Sequence, residues 1–381
     1  MKNNKNSSYK NYFYNDNFDS LINDFNNDKS MALFLGAGIN ISKGNGLDWN
    51  NLLDSLFKEA LTFLSIEKNI KGQALYDIQN IFKDKGEEIQ EIRAKIPYWT
   101  DLHRLAKNEF TALMKASIIK EIMGRNYISS IQTFLYSQCN RIVLEEAFNR
   151  YYSTENREPG EYYTLFQIAR LIMLYPNIRA VITYNFDNFL SEAIQILDQN
   201  RDKFFTPEEK RICRKKIEVK EISSASLNTD LNTFTLPVYH IHGYIAPPNE
   251  LIVNNENDIV LSMDEFYENV NDVFSWQTTT QIHFLSHFTC IFAGSSLSDI
   301  TGQRMIYNAH MQNSLRKIYY LSAASTGGFD NPHYKESYLK LQNIKNSFFA
   351  SYGLSPCFEE EGYDVLYKRF NEIIDELIKN K

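Results

Sequence analysis

The chain has 381 residues, of which 43% are apolar and 23% charged, the balance of an ordinary globular protein. This length predicts one large domain with an insertion, or two domains. Lysine and arginine number 40 against 47 aspartate and glutamate, and the net charge of −7 argues against a broad basic surface for nucleic acid. No stretch approaches the ~20 apolar residues of a membrane span. The polar first residues lack the apolar core of a signal peptide. We therefore expect a cytoplasmic protein that binds neither nucleic acid nor a membrane.

The four cysteines lie far apart in the sequence, at Cys139, Cys213, Cys290 and Cys357. Their dispersal excludes the paired spacing of a zinc site and disfavours a disulfide framework. The sequence therefore predicts a reducing environment and no bound metal.

After a polar segment over residues 1–30, the sequence has the pattern of a strand, a glycine turn and a helix. Residues 31–35 form a short apolar run typical of a buried strand, Gly36-Ala37-Gly38 follows at once, and a helical pattern begins near Trp49. Such an arrangement brings backbone N–H groups and the positive end of a helix to a phosphate, and glycine lets a ligand approach closely. A tight turn needed only for packing is the alternative.

Residues 50–175 carry apolar side chains at helical spacing and predict a large helical insertion. The following apolar runs predict strands, with helices between them, at 178–183, 237–242, 258–262, 288–293 and 317–322. The charged stretch 200–217 predicts a solvated helix, with a polyanion contact as the alternative. Alternating strands and helices predict an α/β fold with a mostly parallel sheet and helices on both faces. The predicted domains are 31–49 with 176–381 for the sheet and 50–175 for the insertion.

The stretch from Thr183 to Asp187 follows a predicted strand, at the end where ligands bind in open parallel sheets. Asn185 can both donate and accept hydrogen bonds, and Asp187 can accept them. The alternative is a turn at Asn185 with Asp187 as the cap of the next helix.

Two histidines precede a glycine in Val-Tyr-His240-Ile-His242-Gly243. In a strand, His240 and His242 share one face, and Gly243 would leave His242 at the strand tip. A metal-binding pair is disfavoured because no third ligand is evident nearby. A hydrogen-bonded structural histidine is the favoured interpretation of His240.

The stretch from Gly294 to Asp299 follows another apolar run and contains small hydroxyl residues. Glycine and serine at a strand end suit phosphate or ribose binding. A capped turn is the alternative.

In this order, the four stretches resemble the sirtuin (silent information regulator) family, and more closely its bacterial defence branch. Family members carry Gly-Ala-Gly after the first strand, a Thr-x-Asn-Tyr-Asp-like segment, His-Gly at a strand end, and Gly-x-Ser-x-x-Asp. The matching stretches here begin at Gly36, Thr183, His242 and Gly294. The resemblance spans roughly 31–49 and 176–370 and implies a Rossmann-like NAD-binding fold.

The chain also departs from the family. Asn40 stands where the family usually has serine, and Gly46-Leu47-Asp48 stands before Trp49 in place of Gly-Leu-Pro or Gly-Ile-Pro. The four-cysteine zinc module of sirtuin deacylases is absent from the sequence. These differences favour hydrolysis of NAD+ itself over protein deacylation.

The resemblance implies a role for each site residue in cleavage of the nicotinamide–ribose bond. Asn185 would orient the water and the ribose, His242 would act as the base, and Asp187 would hold the nicotinamide amide. The glycine turn would line the pyrophosphate, and Ser296 and Asp299 the adenosine side. The residues assigned to NAD+ binding are Gly36, Ala37, Gly38, Asn40, Thr183, Gly294, Ser295, Ser296 and Asp299.

The leading functional hypothesis is therefore an NAD+ hydrolase that acts as an anti-phage defence effector. An NAD-dependent protein deacylase is the second hypothesis, and the missing cysteines count against it. The third is a non-catalytic module that binds NAD or an ADP-ribose-type nucleotide, and the presence of Asn185 and His242 counts against it. Defence relatives of this shape are often paired with a HerA-type hexameric ATPase, so the resemblance also implies such a partner and a homo-oligomer.

Overall fold

The computed structural model describes residues 16–41, 51–57, 60, 110–153, 159–227, 231–248, 259–272, 274–297, 300–311, 316–324 and 332–380. The chain divides into two compact units, which we call the sheet unit and the helical unit. The sheet unit comprises Met1–Gly46, Cys139–Tyr244 and Val273–Lys381. The helical unit comprises Leu47–Gln138 and Ile245–Asp272.

The strands are β1 (Met31–Leu35), β2 (Ile178–Thr183), β3 (Glu218–Ile222), β4 (Thr235–His240), β5 (Thr289–Ala293), β6 (Ile318–Ala323) and β7 (Leu354–Glu359). The named helices are α1 (Asp16–Asn26), α2 (Ala112–Met123), α3 (Tyr127–Gln138), α4 (Arg141–Ser153), α5 (Tyr163–Leu174), α6 (Phe189–Gln199), α7 (Arg201–Phe204), α8 (Pro207–Ile212), α9 (Met263–Asn271), α10 (Trp276–His287), α11 (Ile300–Met311), α12 (Pro332–Ser351), α13 (Tyr363–Lys368) and α14 (Phe370–Lys379). A further helix covers 51–57, and short 3-10 turns cover Ala37–Asn40, Gly124–Asn126 and Ala225–Leu227.

The strands of the described residues form one parallel sheet in the order β3-β4-β2-β1-β5-β6-β7. The central strand β1 pairs with β2, where Leu35 lies opposite Thr183, and with β5, where Leu35 lies opposite Ala293. The chain goes from β1 to β2 on one side and returns to β5 on the other. The carboxyl end of β1 is therefore a topological switch point, the place where open α/β sheets bind ligands.

The sheet is covered on both faces, because every residue of β1 and of β5 is buried. On one face, Ala32 and Phe34 join a core cluster with Phe284 of α10, Met305 of α11 and Phe349 of α12. Elsewhere in this unit α5, buried along its whole length, packs against α6 and the carboxyl-terminal helices α13 and α14. Together these features confirm the predicted α/β, Rossmann-like fold with helices on both faces.

Some sequence predictions of secondary structure were wrong in the described residues, and one strand was not predicted. The apolar run predicted as a strand at 258–262 is irregular over 259–262, because Ser262 caps α9 in a capping box with Glu265. The single helix predicted over 200–217 is interrupted, because Thr206 caps a new helix that begins at Pro207. The charged edge strand β3 was not predicted, since only its last residue, Ile222, is buried.

The compact units divide the chain differently from the predicted insertion at 50–175. Residues 139–175 belong to the sheet unit, because α4 and α5 pack against α6. Residues 245–272 belong to the helical unit, where the Tyr136 hydroxyl donates to the Ile245 carbonyl at 2.7 Å. The segment after β4 therefore contributes to the same core as α3.

Ion pairs and buried apolar side chains stabilise the helical unit. Lys115 Nζ lies 2.8 Å from Asp54 Oδ1, and Lys120 Nζ lies 2.7 Å from Glu265 Oε1, so α2 is tied to two other elements. Each helix in the described part of the chain is too short or too polar to cross a bilayer.

Candidate functional site

The turn after β1 packs directly on the turn after β5. The Gly36 N–H donates to the Ala293 carbonyl at 3.0 Å, and the Gly38 N–H donates to the Gly294 carbonyl at 2.8 Å. A Cβ added to Gly36 or to Gly38 would lie 2.7 Å from the Gly294 oxygen. Contact between the two turns therefore requires both glycines, whatever ligand approaches them. Their N–H groups are already bonded within the protein, and their contact with a pyrophosphate stays a prediction.

Asn185 is held between the end of β2 and the glycine turn. Its side chain is buried, and its Nδ2 donates to the Gly36 carbonyl across 3.4 Å. Its backbone N–H donates to Thr183 Oγ1 at 3.1 Å, which shapes the chain as it leaves the strand. The structure thus brings three sequence-predicted site residues into direct contact.

Asp187 lies two residues further on and contacts Asn40 from the 3-10 turn after β1. Asn40 Nδ2 donates to Asp187 Oδ2 at 2.9 Å, and the Phe189 N–H donates to Asp187 Oδ1 at 3.1 Å. Burial raises the pKa of Asp187 to about 6, although the hydrogen bond from Phe189 and the nearby His240 partly oppose this rise. The carboxyl group therefore accepts a hydrogen bond from the first residue of α6 and is also linked to the glycine turn.

Asn40 has an unsatisfied oxygen beside this carboxylate. The residue is 2% exposed, and its Oδ1 has no hydrogen-bond partner among the described residues. A buried acceptor without a donor is costly, on the order of 1–3 kcal/mol. Asn40 thus supplies a buried acceptor beside the Asp187 carboxylate.

His242 lies in the turn beyond β4, whereas the sequence predicted it in the strand. The strand ends at His240 because the Gly243 N–H turns back to the His240 carbonyl at 3.1 Å. The His242 ring is partly buried, with its centroid 5.2 Å from that of Tyr184 and 6.5 Å from that of Phe186. These two aromatic residues flank Asn185 in the sequence, so His242 and Asn185 belong to one cluster of loops.

His240, in contrast, is fully buried and bonded through both ring nitrogens. Its Nδ1 lies 3.0 Å from the Asn185 carbonyl oxygen, and its Nε2 lies 2.7 Å from Glu221 Oε2. His240 is therefore hydrogen-bonded, as its interpretation from the sequence requires. Its partner Glu221 was missed because it lies on the unpredicted strand β3. The alternation of Ile217 and Val219 with Glu218 and Lys220 is the only strand signal there, and Glu221 interrupts it.

Two hydrogen bonds hold the turn after β5, one from Tyr320 and one within the turn. The Tyr320 hydroxyl donates to the Ser295 carbonyl at 3.3 Å, and the Leu297 N–H donates to Ser295 Oγ at 3.2 Å. Gly294 and Leu297 have φ values of 65° and 51°, so this turn is tightly folded. Ser295 lies beside the glycine turn, since a Cβ added to Gly36 would lie 2.9 Å from the Ser295 Cα. Ser296 follows it in the same turn, Asp299 lies outside the described residues, and the binding of NAD+ by these residues stays a prediction.

The described residues contain no cluster of side chains suited to a metal ion. No group of three His, Cys, Asp or Glu side chains there could hold an ion. All four cysteines are described, and each is a buried free thiol.

Residues 179–347 match the family model of the SIR2-like domain. The matched stretch begins in β2 and ends in α12, so it contains Asn185, His242 and Gly294 but not the glycine turn after β1. This match supports a sirtuin-like domain in the chain and an NAD-related enzymatic function for it. A comparison with curated proteins found no match.

Proposed function

We propose that the protein hydrolyses NAD+ to nicotinamide and ADP-ribose. The observation that carries this proposal is the cluster at the carboxyl ends of β2 and β4. Asn185 and Asp187 follow β2 and bond to the turn after β1, and His242 follows the neighbouring strand β4 and contacts the aromatic residues beside Asn185. The SIR2-like match over 179–347 supports NAD+ as the ligand.

The chemistry requires little from the protein besides orientation and charge. The pyridinium of NAD+ is cationic, so the electron pair of the breaking C1′–N bond neutralises the nicotinamide as it leaves, and no general acid is needed. A water oxygen then bonds to the oxocarbenium-like C1′ and gives up a proton. Asn185 would orient this water, and the His242 imidazole would accept the proton.

Asp187 and Asn40 would recognise the nicotinamide amide. The Asp187 carboxylate and the unsatisfied Asn40 Oδ1 are acceptors, and the carboxamide of nicotinamide offers two N–H donors. A donor from the ligand would remove the cost of the buried Asn40 oxygen. The adenosine side would lie towards Ser295 and Ser296.

Incubation of the purified protein with NAD+, with nicotinamide and ADP-ribose measured, tests the proposal. We expect Asn185→Ala and His242→Ala to abolish turnover without changing the thermal unfolding midpoint. The matched controls are Asn177→Ala and His287→Ala. These residues precede β2 and β5 and so lie at the amino ends of the strands, away from the candidate site. Turnover at the wild-type rate by either folded site variant would refute the assignment. ADP-ribose transfer to the acetyl group of an acetyl-lysine peptide would favour a deacylase, and binding of NAD+ without turnover would favour a regulatory module.

By resemblance, we also propose that the activity serves anti-phage defence and is gated, because an unrestrained NAD+ hydrolase would poison its own cell. Gating would come from self-assembly and from a HerA-type hexameric ATPase. Mass measurement in solution, alone and with the candidate ATPase, is the check. A monomer that is fully active alone and unaffected by the ATPase would exclude this form of regulation.

A further inference from the structure

A chain of four buried or half-buried groups runs behind the candidate site. Ser191 Oγ donates to Glu221 Oε1, Glu221 Oε2 lies 2.7 Å from His240 Nε2, and His240 Nδ1 lies 3.0 Å from the Asn185 carbonyl oxygen. It links α6, β3, β4 and the loop after β2. The proposed reaction gives these hydrogen bonds no role.

The two bonds of His240 require one proton more than a neutral imidazole and an ionised carboxylate hold between them. The Asn185 carbonyl can only accept, so Nδ1 must carry hydrogen. An ionised Glu221 can also only accept, so Nε2 must then carry hydrogen as well. The pair is therefore an imidazolium with a carboxylate, or a neutral imidazole with a carboxylic acid. Loss of that proton leaves one N–H for two acceptors. The ionised carboxylate is the stronger acceptor and keeps the hydrogen on Nε2, so the bond to the Asn185 carbonyl is the one that breaks.

The surroundings of the ring favour retention of the proton. Burial lowers the pKa of His240, but the Glu221 charge, the hydrogen bonds to Glu221 and Asn185, and the Asp187 charge raise it, and the net pKa lies above the ordinary value. The Tyr244 ring packs on the imidazole with centroids 4.7 Å apart. The charged or titratable groups that face His240 are thus Glu221 from β3, Asp187 from the loop after β2 and Tyr244 from the loop after β4.

We propose that the Glu221–His240 pair is a positioning device for Asn185, which holds its backbone carbonyl only while the pair retains its shared proton. Because the same residue places its side-chain amide under the Gly36 carbonyl, a fixed backbone at Asn185 fixes the amide that orients the water. This inference rests on the proposed NAD+ hydrolysis. It adds two residues, Glu221 and His240, that touch neither substrate nor water.

The device and the proposed base have opposite requirements for a proton. His242 must be neutral to act as a base. The His240 pair must be protonated to hold Asn185, so kcat falls as the pH increases through the raised pKa of His240. Loss of positioning would lower kcat by up to about 10²-fold, with little change in KM.

Glu221→Gln is the sharpest test of the shared proton. The Gln oxygen can accept from Ser191 while its amide N–H donates to a neutral His240 Nε2, and Nδ1–H still donates to Asn185. These hydrogen bonds are then complete without the extra proton, so we expect the alkaline fall in kcat to disappear. An alkaline fall that is identical in the wild type and Glu221→Gln would overturn the proposal.

Two further variants separate positioning from general stability. Asn at position 240 places an amide N–H near the Nδ1 position, whereas Gln places one near Nε2. We expect His240→Asn to retain about tenfold more of kcat than His240→Gln, because only His240→Asn keeps the bond to the Asn185 carbonyl. Equal kcat values in two variants with equal unfolding midpoints would reduce the pair to a structural role and overturn the proposal.

An NMR measurement does not depend on turnover. In the protein with 15N-labelled histidine, we expect Nδ1 of His240 to carry hydrogen on the acid side of the titration of that ring, and the Asn185 side-chain amide signal to move as the ring titrates. A singly protonated, non-hydrogen-bonded Nδ1 would refute the device, as would an Asn185 signal that ignores the titration. A protein that shows both NMR effects but never cleaves NAD+ would refute the proposed reaction and leave the positioning intact.

Discussion

The contact between the two glycine turns makes a quantitative prediction for Gly38→Ala. The added methyl group would lie 2.7 Å from the Gly294 carbonyl oxygen and 2.8 Å from the Gly294 Cα, both backbone atoms that cannot rotate away. Overpacking of this kind costs about 1–3 kcal/mol. The free energy of unfolding of the sheet unit should fall by that amount, and its thermal midpoint by about 2–4 °C for each kcal/mol.

Gly160→Ala is the matched control, because a Cβ at this exposed position would meet no atom within 4 Å. We expect this variant to unfold within about 0.5 kcal/mol of the wild type. Urea unfolding followed by far-ultraviolet circular dichroism measures both variants side by side. If Gly38→Ala proved as stable as Gly160→Ala, the turn after β1 would not be in the described contact with Gly294. The contact would then not explain why glycine is needed at positions 36 and 38.

Two further predictions concern buried charges. Arg170→Ala should lower the free energy of unfolding by about 3–5 kcal/mol, because the Glu209 carboxylate, bonded to Arg170 in the core, would lose its counter-ion. Urea unfolding should show much of this loss restored in the double variant Arg170→Met, Glu209→Leu. The pKa of Asp187 is raised from 3.8 to about 6 in the folded protein. Protonated Asp187 therefore contributes to the free energy of unfolding at low pH, and this contribution is lost as the pH rises through about 6. Between about pH 4 and pH 7 the stability of wild type should therefore fall more than that of Asp187→Asn, and parallel curves would contradict the raised pKa.

The strands were predictable where both of their faces are buried, because such strands are nearly continuous apolar runs in the sequence. The runs 31–35 and 178–183 are apolar nearly throughout, and both are strands within the predicted bounds. Edge strand β3 gave no such signal, since its solvent side keeps Glu218 and Lys220. The run at 259–262 misled for the opposite reason, because Ile259 and Leu261 are buried without a strand partner.

The candidate site was predictable as a set of strand ends but not as a set of bonds. Placing Asn185 and His242 at neighbouring strand ends needed only the parallel topology. The bond between Asn40 and Asp187 and the pairing of His240 with Glu221 depend on side chains from separate elements, which no local pattern encodes. The buried contact between His240 and Glu221 also predicts that His240→Ala lowers the free energy of unfolding.

The position of β1 at the centre of the sheet also bears on how the chain is made. Its two neighbours, β2 and β5, begin at Ile178 and Thr289, so the central strand is synthesised long before either partner. At about 5–20 residues per second, β1 waits on the order of 10–50 s for β5. Helix α1 waits longer still, because Asn17 bonds to the Pro356 carbonyl at 2.7 Å and the Arg369 guanidinium lies 3.8 Å above the Phe18 ring. The apolar strand β1 must therefore avoid wrong pairing in the nascent chain until β5 has been translated.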